Sequence, residues 1–295
     1  MSVGAVPQVL NVKEKSAAKR LVVFGSTGMV GRQLSGILAA RGHQVIAPLR
    51  DPSLPCGTGV EPRRVDLRSA TDFSALLDGA DGIFVLAGFR RSLTSILRDA
   101  PSTARFVLLS AAVAAYGDRN PLSAVHAQAE AQIQARTDNW TMLRPQMFAS
   151  NTAAWRHQLS AGDTVALRFP DLPVACIAPR DIAAVGAAAL TEPAHSGETY
   201  RLSGPTALLP REQLGLLARV LGRPLQPLEL SDVEARNAML AESPQPIVDS
   251  LFDLYRHSDY SEAVVTTGVE AVLGRRATPF ERWAAENRRL FGGGL

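Results

Sequence analysis

Lysine is almost missing from this 295-residue chain, which contains it only as Lys13, Lys15 and Lys19. Every permanently positive side chain after residue 19 is therefore an arginine. This absence excludes any reaction that needs a lysine amine in the rest of the chain, because the guanidinium group of arginine does not replace a compact, titratable ammonium group.

Cysteine and histidine are also scarce. The two cysteines, Cys56 and Cys176, have no metal-binding or redox spacing, and isolated thiols of this kind indicate a reducing compartment. The five histidines lack the spacing of metal ligands, so we expect no metal site. No apolar run reaches the roughly eighteen residues that a membrane-spanning helix needs, so we expect no membrane partner.

The charges are nearly balanced, with 31 Lys and Arg against 28 Asp and Glu. The arginines are spread along the chain and form no nucleic-acid-binding signature, so we expect no nucleic-acid partner. Residues 1–19 are polar, basic and small and lack the apolar centre of a signal peptide. We therefore predict a flexible tail over 1–19 and a cytoplasmic protein.

Short apolar runs alternate with helical patterns over residues 20–150. Strands that alternate with helices imply right-handed crossovers, so the predicted fold class is α/β, a Rossmann domain with a doubly wound parallel sheet. Ligands of such sheets bind beyond the carboxyl ends of the strands. The predicted strands are 20–25, 43–49, 61–67, 81–88, 105–111 and 140–145, and the predicted helices are 29–41, 72–80 and 122–135.

The pattern is less regular over residues 151–295. We expect this part to be a smaller α/β C-terminal substrate region, which packs on the Rossmann domain and closes a cleft. The predicted strands are near 164–168, 174–177 and 198–203, and the predicted helices are near 180–190, 210–221, 231–258 and 279–291.

The segment FGSTGMVG (24–31) places Gly25, Gly28 and Gly31 three residues apart, between a predicted strand and a predicted helix. This spacing suits a tight turn, a close approach of the backbone to a pyrophosphate and close packing of helix on strand. The start of the helix offers free N–H groups and the positive end of its dipole to the phosphates. The segment therefore predicts dinucleotide binding.

The end of the second predicted strand indicates which dinucleotide is bound. An NAD site usually has a carboxylate there and an NADP site an arginine, and here Arg50 comes first and Asp51 follows. Arg32, just after the last glycine, is a candidate second cation, so we predict NADP(H) rather than NAD(H). The alternative is a solvated Arg50 that pairs with Asp51.

Asp66 and Leu67 follow the third predicted strand. A carboxylate at this position is suited to accept a hydrogen bond from the adenine amino group, while the leucine covers the ring. The alternative is that Asp66 caps a helix or a turn.

Several segments, which together cover about residues 20–292, resemble the NmrA-like branch of the atypical short-chain dehydrogenases/reductases. They include VVFGSTGMVGRQLSGILAARGHQVIAPLRDP, VDLRSATDFSALLDGADGIFVL, FVLLSA, TMLRPQMFASN and PRDIAAVGAAAL, in the order that the family has. The resemblance implies a Rossmann domain with a smaller C-terminal substrate region. The cofactor contacts that it implies are Gly25, Thr27, Gly28, Met29, Val30, Gly31, Arg50, Asp66, Leu86, Ala87, Gly88, Ser110 and Pro145, and Ser26 in the same turn is a further candidate.

This family contains NAD(P)H-dependent reductases of quinones, ketones and alkenes, reductases of plant phenolic ethers and proteins of ergot alkaloid pathways. It also contains redox-sensing proteins that bind NADP(H) without turnover. The resemblance alone therefore does not decide between an enzyme and a sensor.

The best-known dehydrogenases of this superfamily carry a Tyr-x-x-x-Lys pair on the helix after the fifth strand. Here the residue four positions after Tyr116 is Asn120 instead of lysine. The predicted helix carries His126 and Glu130, which are also four positions apart. A His–Glu pair can raise the pKa of the imidazole and let it donate a proton near neutral pH, which makes His126 a candidate acid; the other interpretation is a helix-flank histidine in a structural or ribose-holding pair. Ser110 resembles the superfamily's substrate-orienting serine, or else it bonds a local backbone group.

A lysine-free site suits acceptors that stabilise the charge they receive. We therefore predict an NADPH-dependent oxidoreductase, monomeric or homodimeric, that reduces a quinone-like or conjugated carbonyl small molecule, such as a natural-product intermediate. The alternatives are a non-catalytic NADP(H)-sensing regulator and a biosynthetic isomerase or cyclase. The candidate catalytic residues are His126 and Ser110. The candidate pocket residues, each with core packing as its alternative, are Phe89, Met147, Phe148 and Trp155.

Overall fold

A parallel sheet lies at the centre of this protein. The structure is a computed structural model that describes residues 17–88 and 90–292, apart from the side chains of residues 90 and 91. The strands of the sheet are β1 (Arg20–Val23), β2 (Gln44–Leu49), β3 (Val60–Arg64), β4 (Gly82–Leu86), β5 (Arg105–Leu109), β6 (Trp140–Pro145) and β8 (Glu198–Leu202). They are ordered β3-β2-β1-β4-β5-β6-β8, while β7 (Thr164–Leu167) pairs in parallel with β9 (Gln226–Glu229).

Helices cover both faces of the sheet. They are α1 (Met29–Ala40), α2 (Ser74–Leu77), α3 (Arg90–Asp99), α4 (Pro121–Arg136), α5 (Arg156–Ala161), α6 (Pro179–Thr191), α7 (Pro210–Leu221), α8 (Asp232–Leu240), α9 (Gln245–Arg256), α10 (Gly268–Leu273) and α11 (Phe280–Glu286). Helices α1 and α6 bury their apolar side chains on one face, and α3 and α4 bury theirs on the other. Short 3-10 helices span Ala112–Tyr116, Ala149–Trp155, Pro193–His195 and Arg288–Phe291.

The doubly wound parallel sheet confirms the predicted fold class. Helix α4 differs by one residue at each end from its predicted range of 122–135, and α7 spans its predicted range of 210–221. The predicted helix over 72–80 is only the single turn α2, and α3 was not predicted.

Two predictions in the second half are wrong. The predicted strand near 174–177 makes only isolated bridges, because its N–H groups donate to Leu208, Glu262 and Met147, which belong to three separate segments. The predicted helix over 231–258 is two helices, α8 and α9, because the chain turns before Pro244.

The predicted tail ends earlier than residue 19. The backbone N–H of Lys19 donates to Nδ1 of His43 at 3.2 Å, and its Nζ donates to the Thr191 carbonyl at 2.8 Å. Residues 1–16 lie outside the described residues. Since Lys19 precedes the first residue of β1, it lies at the amino-terminal edge of the sheet, opposite the edge where ligands bind.

The second half of the chain packs against the carboxyl-terminal edge of the sheet through α4. Asn120, which caps α4, donates from Nδ2 to the Ser250 carbonyl at 2.9 Å and to Asp253 at 3.0 Å, both on α9. No helix among the described residues has the length and apolar character needed to cross a membrane. The described His, Cys, Asp and Glu side chains form no group of three or more that could hold a metal ion.

Asp181 holds the C-terminal segment against α6. Its fully buried carboxylate accepts hydrogen bonds from the Thr278 N–H at 2.6 Å and the Thr278 hydroxyl at 3.1 Å, and it pairs with Arg275 at 2.8 Å. One side chain therefore ties two segments that are far apart in sequence.

We predict that Asp181→Ala lowers the free energy of unfolding by about 2–3 kcal/mol, because the Thr278 donors lose their acceptor in a buried place. Urea denaturation followed by circular dichroism measures this change. The control is Glu281→Gln, which removes an exposed pair with Arg219 and should cost at most about 0.5 kcal/mol. Equal effects of the two substitutions would contradict the role given to Asp181.

Candidate functional site

The glycine turn between β1 and α1 needs glycine at two positions for different reasons. Gly25 has φ +73°, a conformation that side chains disfavour, and a Cβ there would lie 2.8 Å from Cδ1 of Leu86. A Cβ on Gly31 would lie 2.3 Å from the Gly25 carbonyl oxygen, so only glycine lets α1 approach the turn this closely. The predicted tight turn and close helix packing are both present.

The start of α1 is open to an anion. Its capping residue Gly28 has no side chain to cap the helix, and the first turn contains no acidic residue. Thr27, Gly28 and Met29 are exposed, whereas Ser26 and Val30 are buried. The Gly28 N–H donates to the Gly25 carbonyl at 2.9 Å, so the N–H groups open to an anion are those of the first turn of α1, from Met29 onward. Free N–H groups at a helix start are the donor set that a pyrophosphate needs, and these residues fit it.

Two cavities meet at Gly25, which lines both. The first, of about 800 Å³, lies beyond β2 and β3, and charged side chains line it: Arg50, Asp51, Asp66 and Arg68. The second, of about 430 Å³, lies beyond β4 and β5 and is mainly apolar. Its apolar side chains are Met29, Val30, Phe84, Leu86, Leu109, Phe148, Ala153 and Leu290.

The charged cavity contains the side chains that were expected to select the cofactor. Asp51 accepts hydrogen bonds from the Ser53 N–H at 3.0 Å and the Ser53 hydroxyl at 2.7 Å, and these bonds lower the pKa of Asp51. Among the described residues the Arg50 side chain forms no ion pair, so the alternative of an Arg50–Asp51 pair is not observed. Arg32 is exposed but does not line this cavity.

Asp66 is a turn aspartate that also lines the charged cavity, and its contact with adenine stays a prediction. Its Oδ1 accepts a hydrogen bond from the Arg68 N–H at 3.0 Å, as a turn aspartate does, and the residue also lines the cavity beside Leu67. The buried Ser92 on α3 donates to the Leu67 carbonyl at 2.6 Å and thereby fixes this wall. The role of Ser92 was not predicted from the sequence, because helix α3 was not predicted.

A buried carboxylate links the ends of β5 and β6 to α4. Glu130, only 4% exposed, accepts hydrogen bonds on Oε1 from the Ser110 hydroxyl at 2.6 Å and from Nε of Arg144 at 2.9 Å. A second Arg144 nitrogen donates to Oε2, and these bonds raise the pKa of Arg144. The sequence reading missed Arg144, whose signal was a charged residue inside the otherwise apolar strand WTMLRP.

His126 lies one helical turn before Glu130, but no hydrogen bond joins the two side chains in the described structure. Its Nδ1 is buried and has no partner among the described residues. Burial lowers the pKa of His126, and the charge of Glu130 offsets this only in part. Glu130 therefore raises the pKa of His126 as expected, but burial lowers it by more, so the net pKa of His126 lies below its ordinary value. The Glu130 carboxylate itself is bonded to Ser110 and Arg144.

The remaining expected residues divide between the cavities and the core. Most expected cofactor contacts line one of the two cavities, but Ser26, Ala87, Ser110 and Pro145 are buried and line neither. Of the expected substrate residues, Phe148 lines the apolar cavity, Met147 and Trp155 pack against an apolar cluster of the second half, and Phe89 lies outside the described residues.

The segment 257–262, which follows α9, packs against the residues that follow β6. Glu262 accepts a hydrogen bond from the Met147 N–H at 2.8 Å and another from the Tyr260 hydroxyl at 2.7 Å, and burial raises its pKa. The hydroxyl of Tyr116 bonds Asp259 in the same segment, so this tyrosine is not a free proton donor. The sequence reading found no signal for these contacts.

Comparison with known proteins is consistent with this geometry. The chain is 34% identical over 278 residues to (4-alkanoyl-5-oxo-2,5-dihydrofuran-3-yl)methyl phosphate reductase of Streptomyces griseus, an alignment that covers 92% of this chain and 99% of the relative. It is 28% identical over 284 residues to an NAD(P)H azoreductase of Xenophilus azovorans, with 92% and 99% covered.

The fold also matches solved structures. The crystal structure of Nmra, a negative transcriptional regulator, superposes with a TM-score of 0.72 at 15% identity, covering 94% of this chain and 98% of the other. The model of a family described as NAD(P)H-binding matches residues 25–193. The chain therefore belongs to the NAD(P)H-binding family, as the NmrA-like resemblance of its sequence predicts.

Proposed function

We propose that this protein is an NADPH-dependent oxidoreductase that reduces a flat, conjugated carbonyl compound, quinone-like or a natural-product intermediate. The general activity, that of an NAD(P)H-dependent reductase, follows from its family and from two relatives that are named reductases. The substrate class and the preference for NADPH are the further steps, and each is supported by a separate part of the site.

The two cavities support this proposal, because each would suit one half of the cofactor. In sheets of this order the adenosine half lies beyond β2 and β3, so the charged cavity suits it, with Arg50 and Arg68 available to a phosphate. The N–H groups of Met29 and Val30, in the first turn of α1, would hold the pyrophosphate, and the apolar cavity would hold the nicotinamide half. The cofactor would supply a hydride there.

The proposed substrate class is supported by one observation: Ser110 and Arg144 both donate to the Glu130 carboxylate, so the three side chains are bonded to one another. The Ser110 hydroxyl donates its proton to Glu130, so it is not free to polarise a substrate carbonyl. The charge of Glu130 is balanced by Arg144, and burial favours the neutral form of His126. Since these described side chains offer no free general acid at this edge, we infer that the substrate itself delocalises the negative charge that it receives.

The relatives support the same class of acceptor. One is named for a substrate with an oxo-dihydrofuran ring that carries an alkanoyl group, and the other for azo compounds. Both kinds of compound spread added charge over a conjugated system. The likeness to a transcriptional regulator is one of fold, at 15% identity, and no observation in the site favours a regulator or an isomerase.

We predict that the protein oxidises NADPH with quinones and with unsaturated lactones at a kcat/KM about 100-fold or more above that for saturated ketones, because general acid catalysis worth about that factor is missing. Absorbance of NADPH measures the rates. Gly31→Ala, which places a Cβ against the Gly25 carbonyl, controls for contaminating reductases. Comparable rates with saturated ketones would contradict the proposed substrate class.

We predict that Arg50→Ala raises the KM for NADPH about tenfold or more and leaves the KM for NADH within about twofold, since a charge-assisted bond to phosphate contributes about 1.5–3 kcal/mol. The matched control is Arg41→Ala, which removes an exposed arginine at the other end of α1. An equal rise in the KM for NADPH and for NADH in Arg50→Ala would show that Arg50 does not bind the 2′-phosphate of NADPH.

We predict that His126→Ala lowers kcat less than about tenfold, and that kcat of the unmodified protein is flat between about pH 7 and 9. Because the pKa of His126 is lowered, its imidazolium form exists only at a pH below that at which an ordinary histidine is protonated. If His126 were the acid, kcat would therefore rise as the pH falls. A rise towards pH 6 that disappears in His126→Ala would restore His126 as the acid.

A further inference from the structure

A residue near the C-terminal end of the described chain lines the apolar cavity. Leu290 lines it together with Met29 at the start of α1 and Phe148 after β6. Leu290 belongs to the last 3-10 helix, Arg288–Phe291, which follows α11. The glycine turn and the C-terminal turn therefore border the same space, although they stand at opposite ends of the described chain.

This C-terminal turn is held at two points next to Leu290. Phe291 is 1% exposed, and its ring lies edge-on to Trp283 with centroids 6.0 Å apart. Nη2 of Arg288 donates to the Leu221 carbonyl at the end of α7 at 3.0 Å. Contacts of Arg288 and Phe291 thus hold the turn in place, and the half-buried side chain of Leu290 lines the cavity.

A leucine in this place offers neither charge nor hydrogen bond. It acts on a bound group only through apolar contact and by excluding water. The other walls include Leu86 and Leu109, so Leu290 completes an apolar surface rather than adding to a polar one.

We propose that the C-terminal turn Arg288–Phe291 is part of the cofactor site, with Leu290 covering the nicotinamide half and setting its affinity and its shielding from water. This inference rests on the proposed function, because it assumes a nicotinamide cofactor. Leu290 would contact only the nicotinamide half, because it lines the apolar cavity and not the charged one.

The test compares two ligands that share one half. 2′,5′-ADP fits only the charged cavity, whereas NADP⁺ needs both. In Leu290→Ala the loss of buried methyl and methylene contact should raise the Kd of NADP⁺ about five- to tenfold and leave the Kd of 2′,5′-ADP within about twofold, as measured by calorimetry. Bound NADPH should also fluoresce less, because its nicotinamide meets more water.

Two further variants separate this role from packing. Leu290 also packs against the apolar cluster of the second half that contains Trp283 and Phe291. Leu216→Ala truncates a half-buried leucine on α7 that packs against the same cluster but lines neither cavity. It should lower Tm about as much as Leu290→Ala does, and change neither Kd. Leu290→Phe fills the cavity without opening the core, and should weaken NADP⁺ while leaving 2′,5′-ADP binding intact.

The inference is overturned if Leu290→Ala and Leu290→Phe bind NADP⁺ like the unmodified protein, or if each weakens both ligands equally. If the unmodified protein binds neither NADP⁺ nor NAD⁺, the proposed function fails instead. The two failures are thus distinguishable in the same set of titrations.

Discussion

The Glu130 carboxylate is the constraint on which the edge of this sheet depends. A buried carboxylate must have its charge balanced and its oxygens bonded, and here the donors come from the end of β5 and from β6. These bonds fix α4 against two neighbouring strands. The amino end of α4 is capped by Asn120, which also donates to α9, so α4 connects this edge of the sheet to the second half of the chain.

This constraint also explains why the spacing of His126 and Glu130 is misleading. Four residues on a helix bring two side chains within reach, and from the sequence alone a His–Glu pair is the simplest interpretation. The competing donors, Ser110 and Arg144, are 20 and 14 residues away from Glu130 in sequence. Only the register of β5 against β6 brings them together, and burial then lowers the pKa of His126.

The parts that were predictable are those whose physics is local. The glycine turn needs φ above zero at Gly25 and no Cβ at Gly31, and both demands are written in one short segment. Arg50 and Asp66 follow strands whose apolar runs are plain in the sequence, so their place at the rim was accessible too. Helix α3 was missed, and with it the support that Ser92 gives to Leu67.

The unpredictable parts are contacts between distant segments, and they give the site two unlike sides. On the side of α1, Met29, Phe148 and Leu290 form an apolar wall. On the side of α4, His126 is half-buried and the Arg144 side chain is 23% exposed, so this side is polar and partly open to water. This asymmetry suits the proposed reduction, for which the described side chains on the α4 side offer no free general acid. Apolar contact would hold the nicotinamide ring, while the proton that completes the reduction would enter from water on the polar side.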